Sequence, residues 1–165
     1  MGRSGTMATD EVTILLGSKN DMEVAEKCSA TLKEFGIPHS IRVASAHRTP
    51  TKVTGIIAES KAKVFVCMAG QSNALAGFVA AHTVRPVVGV PVGGKVPFDS
   101  LLSTVQMPPG IPVAAVGVDR GENAALLAVE MMAIANKDLE ERLKQYRKAQ
   151  AEKVEKDDAD VRTPR

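Results

Sequence analysis

The sequence predicts an α/β fold in three layers, a doubly wound parallel sheet with helices on both faces and a helical extension at the C-terminus. Three observations predict it. Short apolar runs alternate with helix-periodic segments of about 10–15 residues, the pattern of successive βα units. The run Val64–Met68 is apolar at every position, as a strand covered on both faces must be. With 165 residues, 44% of them apolar, the chain has enough material for one ordinary core and too little for separate cofactor and substrate domains.

Taken in order, Glu11–Leu16 is a strand closed by Gly17-Ser18. The following helix carries Met22, Ala25, Cys28, Leu32 and Phe35 on one face and ends at Gly36, which suits a left-handed C′ position. Ile37–Val43 alternates as a second strand. Pro50 stands at the first position of a helix that runs to about Ser60. Val64–Met68 is the third strand, with a helix over 72–82 behind it. Pro86–Val92 is the fourth strand, the loop 93–97 leads into a short helix through Leu101-Leu102, and Met107–Gly110 forces a turn. Pro112–Val118 is a fifth strand. Glu122–Asn136 is a helix so apolar all round that burial on two sides is expected. From Asp138 to about Asp158 a long surface helix shows one stripe, Leu139, Leu143 and Tyr146, and Asp157–Arg165 is expected to be disordered. The size and alternation are flavodoxin-like. The expected division is 1–10 as a disordered N-terminus or an expression scar ahead of Met7, 11–136 as the α/β domain bearing the site, and 137–165 as a charged helix and tail.

Composition excludes several roles. Twenty-one basic and nineteen acidic residues are interspersed, with no basic stripe of the kind that binds nucleic acid. No apolar stretch approaches the roughly 20 residues of a membrane span, and no secretory signal opens the chain, so a cytoplasmic protein is expected. Cys28 and Cys67 lack the spacing of a disulfide framework or a metal pair and read as buried small apolar residues in a reducing setting. Three dispersed histidines show no metal-ligand spacing, so no metal is expected. A P-loop, a GxGxxG turn, an HExxH helix and a GxSxG elbow are all missing.

In a doubly wound sheet, ligands bind at the carboxyl ends of the strands near the switch point. Three loops rich in small polar residues come after the first three strands and converge on that rim. Gly17-Ser18 offers a tight turn, a hydroxyl and an amide at a helix N-terminus, which favours phosphate; Asp21 suits ribose hydroxyls. The other reading of this loop is that Asn20 or Asp21 only caps the helix. Ser45-Ala46-His47-Arg48 packs a hydroxyl, an imidazole able to carry a proton and a bidentate anion ligand into four residues. His47 reads as a proton carrier, His39 and His82 as structural. Ala69, Gly70, Ser72 and Asn73 open a backbone that a carboxylate can approach, although Ser72 and Asn73 would also serve as helix caps. Lys52, Lys95 and Arg120 read as surface residues or occasional anion contacts.

GSxxD, SAHRTP, AGxSNAL, PVVGVPV, SLLSTVQMPPGIPVA and GENAALLA, in that order over residues 11–150, resemble the aminoimidazole ribonucleotide carboxylase and carboxyaminoimidazole ribonucleotide mutase family of purine biosynthesis. The resemblance implies a cytoplasmic homo-octamer acting on a small ribonucleotide and carbon dioxide. It implies phosphate ligands at Ser18, Ser45 and Arg48 beside the turn glycine Gly17, a ribose ligand at Asp21 and a general acid/base at His47. Ala69, Gly70, Ser72 and Asn73 resemble the loop holding carbon dioxide or carboxylate. The enamine-like C4 of the aminoimidazole attacks carbon dioxide unaided, and one imidazole can then remove the C4 proton, so no cofactor is expected.

The resemblance is to two branches at once. The mutase branch carries AGxAAHLPG after the third strand; here Gln71-Ser72-Asn73-Ala74-Leu75 stands there, with Asn73 expected in place of the second histidine. SAHRTP, VQMPPG and GENAALLA resemble that branch, whereas the SN pair is similar to the branch using carbon dioxide directly. The loop nearest the carboxyl group is weighted above the scaffold, which favours a lyase that carboxylates directly over an isomerase that moves the carboxyl group from N5 to C4. A catalytically silent nucleotide-phosphate binding module and a carboxylase of another heterocycle are the remaining alternatives. Only five aromatic residues and Ala-rich helices at 72–82 and 122–135 make close helix packing between subunits the expected way to bury them.

Overall fold

The computed structural model describes residues 10–162, so the expectation for residues 1–10 falls, except for Asp10, outside the described residues. Two compact units divide the chain, one ending at Ala128 and the other beginning at Val129. The first contains strands β1 (Val12–Leu16), β2 (His39–Val43), β3 (Val64–Ala69), β4 (Val87–Pro91) and β5 (Ala114–Ala115). Its helices are α1 (Met22–Glu34), α2 (Pro50–Glu59), α3 (Ala74–Ala81) and α4 (Pro97–Val105), with a single 3-10 turn at Lys19–Asp21. The division falls inside α5 (Gly121–Ala133), and α6 (Lys137–Arg162) lies in the second unit.

All strand pairs are parallel and the order is β2-β1-β3-β4-β5. This is the flavodoxin-like order, whose direction of winding reverses between β1 and β3. Register shapes the rim: Leu16 lies beside Val43 on one side and Met68 on the other, so β1, β2 and β3 end level and their loops emerge together. Every residue of β1 and β4 is buried, as are the first five of β3, because helices cover both faces. On one face Leu15, Phe65, Val53, Ile57, Leu75 and Val79 form a continuous cluster. Cys28 and Cys67 are free and fully buried, as expected; burial pushes the Cys28 thiol up to about 12 and the Cys67 thiol further still.

Local chemistry sets the boundaries. Gly36 has φ 64°, its N–H meets Lys33 O at 2.9 Å and Ile37 N–H meets Leu32 O at 2.9 Å, closing α1 as the glycine predicts. Pro50 starts α2, and its far end is capped by Arg85, whose guanidinium donates to Ile57 O at 2.7 Å and Ser60 O at 2.8 Å while lying over the Phe65 ring.

Three expectations are corrected. The fifth strand is two residues long instead of Pro112–Val118: Pro112 has no N–H to give, and pairing to β4 slips after Val116. Val116 N–H reaches Gly89 O at 3.1 Å, but it is Asp119 that reaches Pro91 O, at 2.9 Å, one residue later than regular parallel pairing. The third helix begins at Ala74, not Ser72, because Asn73, with φ −68° and ψ 63°, lies outside the helical region. The C-terminal helix continues to Arg162 through residues expected to be disordered, supported by i,i+4 pairs such as Arg162–Asp158 at 3.1 Å; of the expected tail, residues 163–165 fall outside the described residues. Among the described residues no helix is long and apolar enough to cross a membrane.

Candidate functional site

The level ends of β1, β2 and β3 open onto a cleft of about 850 Å³. Gly17, Ser18, Asp21, Ser45, His47 and Arg48 line it from the first two loops. Ala69, Gly70 and Ser72 line it from the third. The three loops that the sequence singles out therefore meet in one place.

Ser18 is the N-cap of the 3-10 turn, its Oγ accepting from Asn20 N–H at 3.1 Å while its own N–H donates to Asp21 Oδ2 at 2.8 Å. The capping box joins Ser18 and Asp21 with Ser18 as the cap, and Asp21 makes no side-chain cap bond to α1, so neither Asn20 nor Asp21 caps the helix with its side chain as the other reading of this loop expects. Asp21 is only 6% exposed. Burial raises its pKa, opposed by the Ser18 N–H and the nearby Arg48 guanidinium.

Arg48 ties two loops together. Its Nη2 donates to Gly17 O at 2.9 Å, and its Nε and backbone N–H both reach Ser45 Oγ at 3.3 Å. The Ser45–Thr49 turn is closed by Ser45 N–H to Thr49 Oγ1 at 2.9 Å and Thr49 N–H to Ser45 O at 2.9 Å, with Pro50 then starting α2. This turn holds His47 on the cleft wall, exposed, where its ring makes no hydrogen bond to another described residue. The two other histidines behave as expected for structural groups. His39 Nδ1–H donates to Ile37 O at 2.8 Å with Ser29 Oγ 2.8 Å from Nε2, and His82 bonds Phe78 O at 2.7 Å and stacks on that ring.

Asn73 is placed elsewhere. It is fully buried and does not line the cleft; its Nδ2 donates to Val90 O at 3.2 Å and to Thr104 Oγ1 at 2.9 Å, and its N–H donates to Ser103 Oγ at 2.8 Å. Its Oδ1 is buried without a partner among the described residues. Asn73 therefore fastens the third loop to β4 and α4, and gives α3 no side-chain cap. Its neighbours Ser72 and Ala74 line the cleft instead. Laid letter by letter over Ala69–Gly77, the histidine of AGxAAHLPG also falls on Ala74, which corrects the expectation that Asn73 replaces it.

A fourth and a fifth loop contribute as well. Val92–Val96, after β4, and Asp119, after β5, line the cleft, so Lys95 belongs to it and is not simply a surface residue. Asp119 is not legible in the sequence because only the slip in β5 pairing brings it to the rim. Lys27, bridged to Glu23 at 3.3 Å, completes the cations of the wall. Among the described residues no group of three or more His, Cys, Asp or Glu stands together as metal ligands do.

Compared with known proteins, the chain matches the model of the family described as AIR carboxylase over residues 11–153. The chain belongs to the AIR carboxylase family. Members similar to it carry both of the names that its motifs suggest. The N5-carboxyaminoimidazole ribonucleotide mutase of Methanocaldococcus jannaschii is 49% identical over 152 residues, which cover 92% of this chain and 97% of that protein. The chloroplastic phosphoribosylaminoimidazole carboxylase of Vigna aconitifolia is 43% identical over 145 residues, 85% of this chain but only 26% of that longer protein. Among solved structures, the family's fold is matched by the crystal structure of Treponema denticola PurE with a TM-score of 0.83 at 35% identity, covering 92% of this chain and 98% of that one.

Proposed function

We propose that the chain carboxylates C4 of 5-aminoimidazole ribonucleotide, giving 4-carboxy-5-aminoimidazole ribonucleotide in purine biosynthesis, with His47 as general acid/base. The observation that carries the reading is the meeting of the Ser18, Ser45 and Arg48 groups with the exposed His47 ring in one cleft. Arg48 with the two hydroxyls forms an anion cradle for the ribose phosphate, and Asp21 accepts from ribose hydroxyls. Ala69, Gly70 and Ser72 leave backbone open to a carboxyl group, and Asn73 serves that loop by holding it from behind. Attack of C4 on carbon dioxide forms the new C–C bond and leaves a tetrahedral carbon bearing hydrogen and carboxylate. His47 takes that proton as the ring regains aromaticity, and returns it in the reverse direction.

Carbon dioxide is proposed as the direct donor, because His47 is the one histidine among the described residues lining the cleft and Ala74 stands where the mutase motif has its second. The mutase reading has its own support, in the name of the Methanocaldococcus relative. Labelled bicarbonate supplied with aminoimidazole ribonucleotide, and in a second experiment the N5-carboxylated ribonucleotide in unlabelled medium, separate them. Direct carboxylation puts label into the product; retention of the carboxyl group without exchange identifies the mutase. His47→Asn is expected to lower turnover by about 10²–10⁴-fold with little change in ribonucleotide affinity. A variant with undiminished turnover contradicts the assignment, and a wild-type protein that binds ribonucleotide without turning it over is the silent module.

The site is assigned to 11–136, with 137–165 as an appended helix and tail, and the working form is proposed to be the cytoplasmic homo-octamer that the family resemblance implies. Helix α4 supports self-association, because it is inside out: Ser100 and Thr104 are buried, while Phe98 is 74% and Leu102 53% exposed.

A further inference from the structure

Asp119 holds the loop after β4 by two bonds. Its N–H donates to Pro91 O at 2.9 Å and its Oδ1 accepts from Gly93 N–H at 2.8 Å. It does so from a left-handed backbone, φ 57°, which aspartate tolerates better than most residues. A Cβ at Gly93 would lie 2.6 Å from Asp119 Oδ2, so a side chain there would have to displace the carboxylate. The loop thus held carries Lys95 into the cleft wall. Lys27 and Arg48 are engaged, one with Glu23 and the other with Gly17 O and Ser45 Oγ, whereas Lys95 has no hydrogen bond or ion pair with another described residue.

Sheet order says which end of a ligand Lys95 meets. β4 lies next to β3 and two strands from β1, about 10 Å away. Its loop abuts the third loop directly: Val92 N–H donates to Ala69 O at 2.9 Å, and a Cβ on Gly70 would stand 3.3 Å from Val92 O. Lys95 is therefore carried on the Ala69–Gly70 side of the cleft, away from the Ser18, Ser45 and Arg48 cradle.

We propose that Lys95 pairs with the carboxylate of the carboxylated ribonucleotide and that Asp119 is the positioning residue that holds its loop in reach. This rests on the function proposed above. The test is calorimetric binding of two ligands, aminoimidazole ribonucleotide, which has a phosphate and no carboxylate, and its 4-carboxy product. Lys95→Ala is expected to weaken the carboxylated ligand about tenfold or more while leaving the other within about twofold. Asp119→Gly, which keeps the left-handed backbone and removes the acceptor, is expected to show the same selective loss. Asp119→Asn, which retains an oxygen for the Gly93 N–H, is expected to restore most of it. Equal losses for both ligands, or none, overturn the inference. A wild-type protein that binds neither ligand overturns instead the function beneath it.

Discussion

At the scale of single residues, Asp21 is asked to do two things that conflict. It is buried, so ionising it costs solvation, and the Ser18 N–H and Arg48 recover only part of that cost. The folded protein therefore binds this proton more readily than the unfolded chain, and Asp21 lowers stability as pH rises from the ordinary 3.8 through the raised value, with the full loss present above it. Asp21→Asn, which keeps an oxygen to accept from Ser18 N–H, is expected to melt no lower than the wild type at neutral pH. Thermal melts from about pH 3.5 to 7 are expected to show the wild type losing stability relative to the variant as pH rises. The opposite slope contradicts the burial argument. If Asp21 holds ribose, the same variant binds ribonucleotide more weakly, a residue kept for binding at the expense of stability.

At the scale of elements, the strands can be read from their residues wherever burial is two-sided. β1, β3 and β4 are legible because a run such as Val64–Met68 has few other uses. β5 is not legible in its length, since its pairing is set by the slip that delivers Asp119 to the rim, a contact between segments about 26 residues apart. Asn73 is the same lesson in the site: an SN pair at a helix start reads as a cap or a ligand contact, and only the positions of Val90, Ser103 and Thr104 show that the amide is consumed internally. Gly89 shows how closely β4 and α4 are fitted. A Cβ there would meet Thr104 Cγ2 at 2.5 Å and Val113 Cγ1 at 3.0 Å. Gly89→Ala is expected to destabilise by about 1–3 kcal/mol through overpacking, read as a lower urea midpoint at unchanged slope. An unchanged midpoint would mean that α4 can shift freely.

For the whole molecule, the exposed row on α4 makes self-association testable. Phe98, Leu102 and Val105 are 74%, 53% and 46% exposed, and placing a charge among them disfavours any contact that buries them. Light scattering is expected to give a species several times the mass of one chain, and Leu102→Asp is expected to reduce it. A wild-type monomer counts directly against the proposed octamer.

Alternating apolar runs and turn residues by themselves determined the order of elements, the doubly wound sheet and the three loops of the cleft, because local periodicity and chain punctuation are properties of neighbouring residues. Only the tertiary structure decided that Asn73 is buried and bonded behind the loop, and that Lys95 and Asp119 join the cleft. Those outcomes depend on register and bonding between strands distant in the chain, which no local pattern encodes.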